Sequence, residues 1–166
     1  MSSAAAVHVR LAHPDEYDDV GALTEAAYRH DGFVHDGGSY AESLRDARRR
    51  AGEAELWVAT LDGTVVGTVT FCPPESPWRE LARHDEAEFR MLAVAPAGRR
   101  RGVGRALVQR CVQRSRELHR RRLVLCSDVR MRPAHVLYAG LGFVRIPERD
   151  WSPLPGVHLI AFGLDL

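Results

Sequence analysis

Hydrophobic and polar positions along the chain follow two patterns, one typical of β-strands and one typical of amphipathic helices. Alternating or near-continuous apolar runs predict seven strands. A hairpin turn, Asp62-Gly63, separates the second strand from the third. The predicted strands are 7–11, 55–60, 65–71, 86–94, 122–126, 143–146 and 157–164.

Apolar residues that recur every three or four positions predict helices between these strands. The predicted helices are 13–28, 40–51, 102–119 and 133–140. Loops rich in Gly, Asp or Pro are expected at 31–39, 73–85 and 147–156. The element order β-α-α-β-β-β-α-β-α-β-β predicts one α/β (α+β) domain over residues 1–166. Its central sheet is expected to be mixed and mostly antiparallel, with helices on both faces.

Residues 99–107, Arg-Arg-Arg-Gly-Val-Gly-Arg-Ala-Leu, carry the clearest chemical signal. They follow the predicted strand 86–94 and open the predicted helix 102–119. The backbone N–H groups of such a turn and the positive end of the helix dipole point at the same place, which favours an anion. Glycine also lets the backbone approach a diphosphate and adopt positive φ angles. The segment therefore predicts a phosphate-binding loop, with a solvated arginine-rich turn as the alternative.

Two common phosphate-binding motifs are excluded by the residues themselves. A P-loop needs a lysine, and this chain contains none. A dinucleotide-binding fingerprint needs a third glycine where the chain has Leu107. The remaining pattern, Arg99-x-x-Gly102-x-Gly104 directly after a strand, resembles the acetyl-CoA pyrophosphate loop of the GNAT superfamily of N-acetyltransferases.

A second motif of that superfamily appears downstream, as Ala134-x-x-x-Tyr138-x-x-Leu141-Gly142-Phe143. The order of elements also resembles the GNAT fold from end to end. On both grounds the chain is identified as a member of the GNAT superfamily. The resemblance implies a single GNAT-like domain, expected to transfer an acetyl group from acetyl-CoA to a primary amine.

The resemblance implies where acetyl-CoA binds. The strand at Leu92, Ala93 and Val94 offers backbone groups to the pantetheine amides, and an N–H near Val94 serves the oxyanion. The loop then holds the pyrophosphate, mostly through its backbone amides, because its four arginines cannot all be essential. The implied loop contacts are Arg99, Arg100, Arg101, Gly102, Val103, Gly104 and Arg105.

One cofactor contact of the superfamily has no counterpart here. Many members carry an asparagine shortly before the Ala-x-x-x-Tyr segment, but this chain has no asparagine at all. Ser127, Asp128 or Arg132 is expected to substitute, or the contact is missing.

The resemblance also implies the catalytic groups. Tyr138 matches the general acid that protonates the sulfur of CoA, with a core aromatic residue as the alternative. Glu88 matches the carboxylate that removes the proton of the amine, often through water, with a solvated acid at the strand end as the alternative. Glu86 on the same side of the strand competes for the role of base. His135 is expected to be a histidine on the helix surface, with substrate orientation as the alternative.

The acceptor cannot be identified from the sequence, and a small-molecule amine or a peptide or protein amine remains open. Charge is divided unequally, with a net of −9 over 1–88 and +10 over 89–166. That division fits an anionic cofactor and an amine-bearing substrate, or two halves that complement each other within one fold. Candidate residues of the acceptor pocket are Tyr28, Phe33, His35, Tyr40, Trp78 and His84.

Composition narrows the remaining classes of function. No apolar run approaches the ~20 residues of a membrane span, and no secretory signal is visible. The three cysteines are expected to be buried free thiols in a reducing cytoplasm, and no metal site has suitable ligand spacing. A catalytically silent acyl-CoA-binding module is the main alternative. The arginine runs could bind nucleic acid, but no recognisable nucleic-acid-binding motif accompanies them, which argues against that function. A homodimer is neither indicated nor excluded.

Overall fold

A mixed β-sheet forms the centre of the computed structural model, which describes residues 3–34 and 38–166. Within these residues the sheet has eight strands in the order β1-β2-β3-β4-β5-β8-β6, and β7 pairs with β8. Only β4 and β5 are parallel, so the predicted mixed and mostly antiparallel sheet is confirmed. The strands are β1 Val7–Leu11, β2 Glu55–Leu61, β3 Thr64–Cys72, β4 Glu86–Val94, β5 Arg122–Asp128, β6 Val144–Arg145, β7 Trp151–Leu154 and β8 Val157–Asp165.

Helices cover both faces of the sheet, as predicted. They are α1 Tyr17–His30, α2 Ser39–Arg45, α3 Ala47–Glu53, α4 Val103–Glu117 and α5 Arg132–Gly140. Alternate residues of β2 point in opposite directions. Leu56 and Val58 pack with α1 and α3, on what we call the first face. Trp57 and Ala59 pack in the main core with α4 and α5, on the second face.

Two elements differ from the sequence prediction. The predicted helix 40–51 is two helices, because Asp46 leaves helical geometry (φ −82°, ψ 62°) and its carboxylate caps α3 at Arg49 N–H. Asp favours such caps over helix interiors because its side chain competes for backbone N–H groups. The predicted loop 147–156 contains β7, whose Pro153 is tolerated at the edge of the sheet.

The parallel strands β4 and β5 separate near the middle of the sheet. They pair only from Glu86 opposite Arg122 to Glu88 opposite Val124. Further along, β4 carries a bulge next to Met91, which has φ +55°. The bulge changes the alternation of side chains and increases the local twist. An opening between the two strands results, and its walls are backbone.

The three cysteines are free, as expected. Cys72 and Cys111 are buried in apolar surroundings, whereas Cys126 is only partly buried.

Candidate functional site

A cavity of about 740 Å³ lies at the opening between β4 and β5. Its walls come from the end of β4, the start of α4, the end of α1, the loop after β5 and the start of α5. The residues that line it are Ala27, Tyr28, Asp31, Phe33, Leu92, Ala93, Val94, Gly98, Arg99, Arg100, Gly102, Val103, Gly104, Arg105, Arg130, Met131, Pro133, Ala134 and Leu137. Nine of the ten residues expected to contact the cofactor therefore lie together, and Arg101 is the exception.

The loop that begins α4 presents a series of unused backbone N–H groups. Arg100 and Gly102 have positive φ angles of 62° and 76°, which turn the chain so that successive amides point the same way. None of the N–H groups of residues 100–105 donates a hydrogen bond to any described residue. Together with the helix dipole they form an anion-binding site of the kind that suits a diphosphate.

Glycine is needed at two points of this loop. Gly102 has φ +76°, where other residues are strained, although a Cβ there would meet nothing within 4 Å. At Gly104 a Cβ would lie 3.3 Å from Leu137 and would narrow the cavity.

The arginines of the loop are exposed and differ in their contacts. Arg99 reaches across the cavity to Asp31, 3.3 Å away. Arg100 and Arg105 line the cavity without an ion pair to any described residue. These two side chains are thus available to phosphate oxygens as charge-assisted donors.

The loop between β5 and α5 occupies the place where the family asparagine was expected. None of the three suggested substitutes, Ser127, Asp128 and Arg132, lines the cavity. Arg130, which Asp128 holds at 2.8 Å, and the neighbouring Met131 do so instead. A thioether and a guanidinium therefore stand at this wall of the cavity.

Tyr138 lies on α5, whose residues Ala134 and Leu137 line the cavity, but Tyr138 is not itself among the lining residues. Its ring packs against Phe89 and Phe162, and 4% of the residue is exposed. Its hydroxyl makes no hydrogen bond to a described group. Burial raises its pKa well above 10, so the phenol keeps its proton at neutral pH.

Glu88 is completely buried at the point where β4 and β5 separate. Its Oε1 accepts hydrogen bonds of 2.8 Å from the N–H groups of Leu81 and Ala82, and the Glu80 N–H lies 3.1 Å from both oxygens. Burial raises the pKa of Glu88 although these bonds oppose the shift. The carboxylate holds the segment 80–82 on the first face, and it does not line the cavity.

Glu86, the competing carboxylate, is engaged elsewhere. It is fully buried and binds Arg149 at 2.8 and 3.0 Å, with Arg121 and Arg122 at 3.6 and 3.9 Å. Burial acts to raise its pKa, but the hydrogen bonds from Arg149 and the Arg83 backbone outweigh burial, so the net shift is downward. A carboxylate held this way by Arg149, with its pKa lowered, is suited to a structural ion pair and poorly suited to act as a general base.

The other candidate residues are distributed unevenly around the cavity. Tyr28 and Phe33 line it, and Tyr40 meets the Tyr28 ring edge-on at 6.2 Å. Neither Trp78 nor His84 lines it. The expectation for His35 lies outside the described residues.

His135, expected at the helix surface, is half-buried there. The ring packs 5.2 Å from that of Phe162 and its Nε2 lies 3.1 Å from Ser127 Oγ. Partial burial lowers the pKa of this histidine, and it does not line the cavity.

Sequence reasoning missed Asp31 and Arg130 as lining residues, because neither belongs to a motif. Arg130 lies four residues before Ala134, so its distance from the second motif was a usable signal. Asp31 is 68 residues from its partner Arg99, and nothing local in the sequence indicates that contact.

Comparison with known proteins agrees with this geometry. Residues 19–143 match the family model described as the acetyltransferase (GNAT) family. The chain belongs to this family, so the family membership expected from the sequence is confirmed.

Two curated relatives share part of the sequence. N-acetyltransferase family 8 member 3 of Rattus norvegicus is 30% identical over 93 residues, which is 56% of this chain and 40% of the relative. N-acetylaspartate synthetase of Danio rerio is 32% identical over 104 residues, 61% of this chain and 34% of the relative. The matched part thus spans less than half the length of either relative.

Solved structures share the fold over nearly the whole chain. An acetyltransferase of the GNAT family from Staphylococcus aureus Mu50 has a TM-score of 0.76 at 13% identity, covering 97% of this chain and 99% of that one. The yncA protein of Salmonella typhimurium, described as an acetyltransferase with its cofactor acetyl-CoA, has a TM-score of 0.70 at 20% identity. The match covers 97% of this chain and 94% of that one.

Two further features of the described residues concern membranes and metals. No helix among them combines the length and apolarity that crossing a bilayer requires. Within the same residues, no three His, Cys, Asp or Glu side chains form a group that could hold a metal ion.

Proposed function

We propose that this protein is an N-acetyltransferase that transfers the acetyl group of acetyl-CoA to the primary amine of an acceptor molecule. The observation that carries the proposal is the row of unused N–H groups at 100–105, placed at the mouth of a cavity that continues into the opening between β4 and β5. A diphosphate at the loop leaves a linear arm to run along the backbone of β4.

The donor groups that line the cavity suit acetyl-CoA. The amides of the loop and the start of α4 hold the pyrophosphate, assisted by Arg100 and Arg105. Backbone groups of Leu92, Ala93 and Val94 line the part of the cavity next to the strand opening. When bound there, acetyl-CoA supplies an activated acetyl thioester.

Tyr138 is the general acid of this proposal. Its phenol is protonated at neutral pH and makes no hydrogen bond to a described group, so its proton is available to a departing thiolate. Ala134 and Leu137, which precede Tyr138 on α5, line the cavity, so the helix that carries the phenol borders it.

Glu88 is the proposed base. Its raised pKa makes it a stronger base than an exposed carboxylate, and Oε2 accepts only one hydrogen bond from the described residues. Because Glu88 does not line the cavity, it takes the proton of the amine through a water relay. An alkyl amine with pKa near ~10 must lose this proton before it attacks.

The acceptor class is left open by this argument. The name of the zebrafish relative indicates a product that is an N-acetylated amino acid, and that of the rat relative indicates an N-acetyltransferase. Both names support transfer to nitrogen.

An acetyl-CoA consumption assay across amine classes tests the proposal. The expected result is release of CoA that depends on at least one amine and on Tyr138. Tight acetyl-CoA binding without turnover on any amine would favour the catalytically silent module instead.

A further inference from the structure

Arg50 is a buried cation that lacks a carboxylate partner. It lies on α3 with 0% of its surface exposed, and no described acid lies within ion-pair distance. Its Nη1 donates to Thr70 Oγ1 at 2.9 Å and its Nη2 donates to the Leu44 carbonyl. Its Nε is buried without a hydrogen-bond partner. A buried guanidinium held by neutral groups alone leaves an unbalanced positive charge.

A second arginine shares this part of the first face. Thr70 on β3 lies opposite Arg90 on β4, and cross-strand partners project to the same side of a sheet. Arg90 binds Glu80 at 2.9 Å through Nε and the Trp78 carbonyl at 3.0 Å through Nη1. Its Nη2 donates to no described group, and 15% of its side chain is exposed.

The two arginines have few acids to balance them. Among the described residues, the Glu80 carboxylate forms an ion pair with Arg90 alone, and the nearby Glu88 carboxylate is already occupied by the backbone N–H groups of 80–82. Burial lowers the pKa of Arg50 to about 10, with a smaller contribution from nearby Arg90, so the guanidinium remains protonated at neutral pH.

This pair of arginines lies beside the proposed acetyl-CoA cavity. Arg90 is two residues before Leu92, which lines the cavity. Tyr28 lines it from α1, packs against Tyr40, and is close enough to Arg50 that the two groups influence each other. Neither tyrosine hydroxyl is hydrogen-bonded to a described group, so both are further donors at this edge.

We propose that the acetyl acceptor is a small molecule that carries a carboxylate as well as the reacting amine, and that Arg90 binds this carboxylate beside Tyr28. Arg50 lies beneath and supplies positive charge to the same place. The Nη2 group of Arg90, which donates to no described group, can give a charge-assisted hydrogen bond to a carboxylate oxygen, while Nε and Nη1 stay on Glu80 and the Trp78 carbonyl. This inference rests on the proposed acetyltransferase function and narrows its substrate class to amino acids and similar compounds.

The test compares acceptors that differ in whether the group beside the reacting amine is a carboxylate or a neutral amide. Proteinogenic amino acids and their α-carboxamides are assayed in matched pairs, for example L-leucine with L-leucinamide. We expect a preference in kcat/KM of about a hundredfold or more for the carboxylate member of at least one pair. Arg90→Gln and Arg50→Met are expected to raise KM for that acid about tenfold or more while leaving KM for its amide unchanged.

A matched control and a binding readout accompany the assay. Arg48→Gln removes an exposed arginine of α3 whose contacts are Asp18 and the Tyr17 ring, and it should change neither KM. In the presence of CoA, N-acetyl-L-leucine should raise the melting temperature of the wild type more than N-acetyl-L-leucinamide does. This difference should disappear in Arg90→Gln, because Arg90 is the more exposed of the two arginines and is the one proposed to bind the carboxylate.

The outcomes separate the two proposals. Acetylation of neutral amines as efficiently as of acids, or equal effects of Arg90→Gln on both members of a pair, overturns the carboxylate site and leaves acetyl transfer intact. Binding of acetyl-CoA with no turnover of any amino acid also overturns it. Failure to bind acetyl-CoA at all contradicts the proposed function itself.

Discussion

The Glu88 carboxylate accepts a 2.8 Å hydrogen bond from the backbone N–H of Leu81, so the end of the parallel β4–β5 pairing is tied to the loop that precedes β4. Ala82 and Glu80 donate to the same carboxylate. One side chain thereby fixes both the strand opening and the position of Glu80, the partner of Arg90. Glu88 therefore has a structural role whether or not it also moves a proton.

Glu88→Gln is expected to lower the free energy of unfolding by about 1–3 kcal/mol, because an amide NH2 would face backbone donors where a carboxylate oxygen now accepts. Urea unfolding at neutral pH measures the change, with the exposed Glu148→Gln as control. If Glu88 is also the base, kcat of the folded variant should fall about a hundredfold or more while acetyl-CoA affinity stays the same. A folded variant with wild-type kcat would leave Glu88 only its structural role.

Glu86→Gln is expected to destabilise the protein by about 3 kcal/mol at pH 7, because Arg149 would remain buried without its anion. The pKa of Glu86 is lowered by folding, so its contribution is complete above the pKa of the unfolded chain, near 4.5. The contribution is lost as pH falls through the lower, folded pKa. The difference in unfolding free energy between wild type and variant should accordingly shrink below pH 4.5. A difference that grows on acidification would contradict the sign of this shift.

Tyr138→Phe is expected to lower kcat about a hundredfold while changing acetyl-CoA affinity less than about twofold. The variant should remain stable, because the hydroxyl makes no hydrogen bond to a described residue. Tyr17→Phe on α1 is the matched control, since that ring packs in a separate cluster on the first face. Steady-state kinetics with isothermal titration of acetyl-CoA separates the two effects, and an unchanged kcat would remove Tyr138 from the mechanism.

The pH dependence of the wild type offers a separate check on Tyr138. Because burial raises the pKa of this phenol above 10, kcat should show no decline from tyrosine ionisation between pH 7 and pH 10. Over the same range kcat/KM for an alkyl amine should rise as the amine loses its proton. A descending limb below pH 10 that vanishes in Tyr138→Phe would show that the phenol ionises earlier than its surroundings indicate.

Short-range signals in the sequence were sufficient for the loop and its helix. The glycine and arginine spacing at 99–105 depends on a turn and a helix start, both of which are local, and the strand before it is a simple apolar run. Nine of the ten predicted contacts line the cavity for that reason. Arg101 lies in the same turn, but it is exposed and is not among the residues that line the cavity.

Long-range contacts account for what the sequence did not reveal. Arg48-Arg49-Arg50 resembles a solvated helix face, yet Arg50 is buried because the break at Asp46 turns α3 so that this side chain reaches β3. The hydrogen bonds of Glu88 come from backbone six to eight residues away, whose position depends on the folded loop. Strand β7 was missed because Pro153 and Pro155 favour a loop in isolation.

The central claim is that the backbone amides of 100–105 hold the diphosphate of acetyl-CoA, and Gly102→Glu tests it most directly. The variant places a carboxylate at the start of α4, and its Cβ would meet no neighbour within 4 Å. Gly63→Glu is the matched control, because Gly63 also has positive φ (79°) and open space but lies in the β2–β3 turn. Isothermal titration should show acetyl-CoA binding weakened about tenfold or more in Gly102→Glu and unchanged in Gly63→Glu. Wild-type affinity in Gly102→Glu would contradict the assignment of the site.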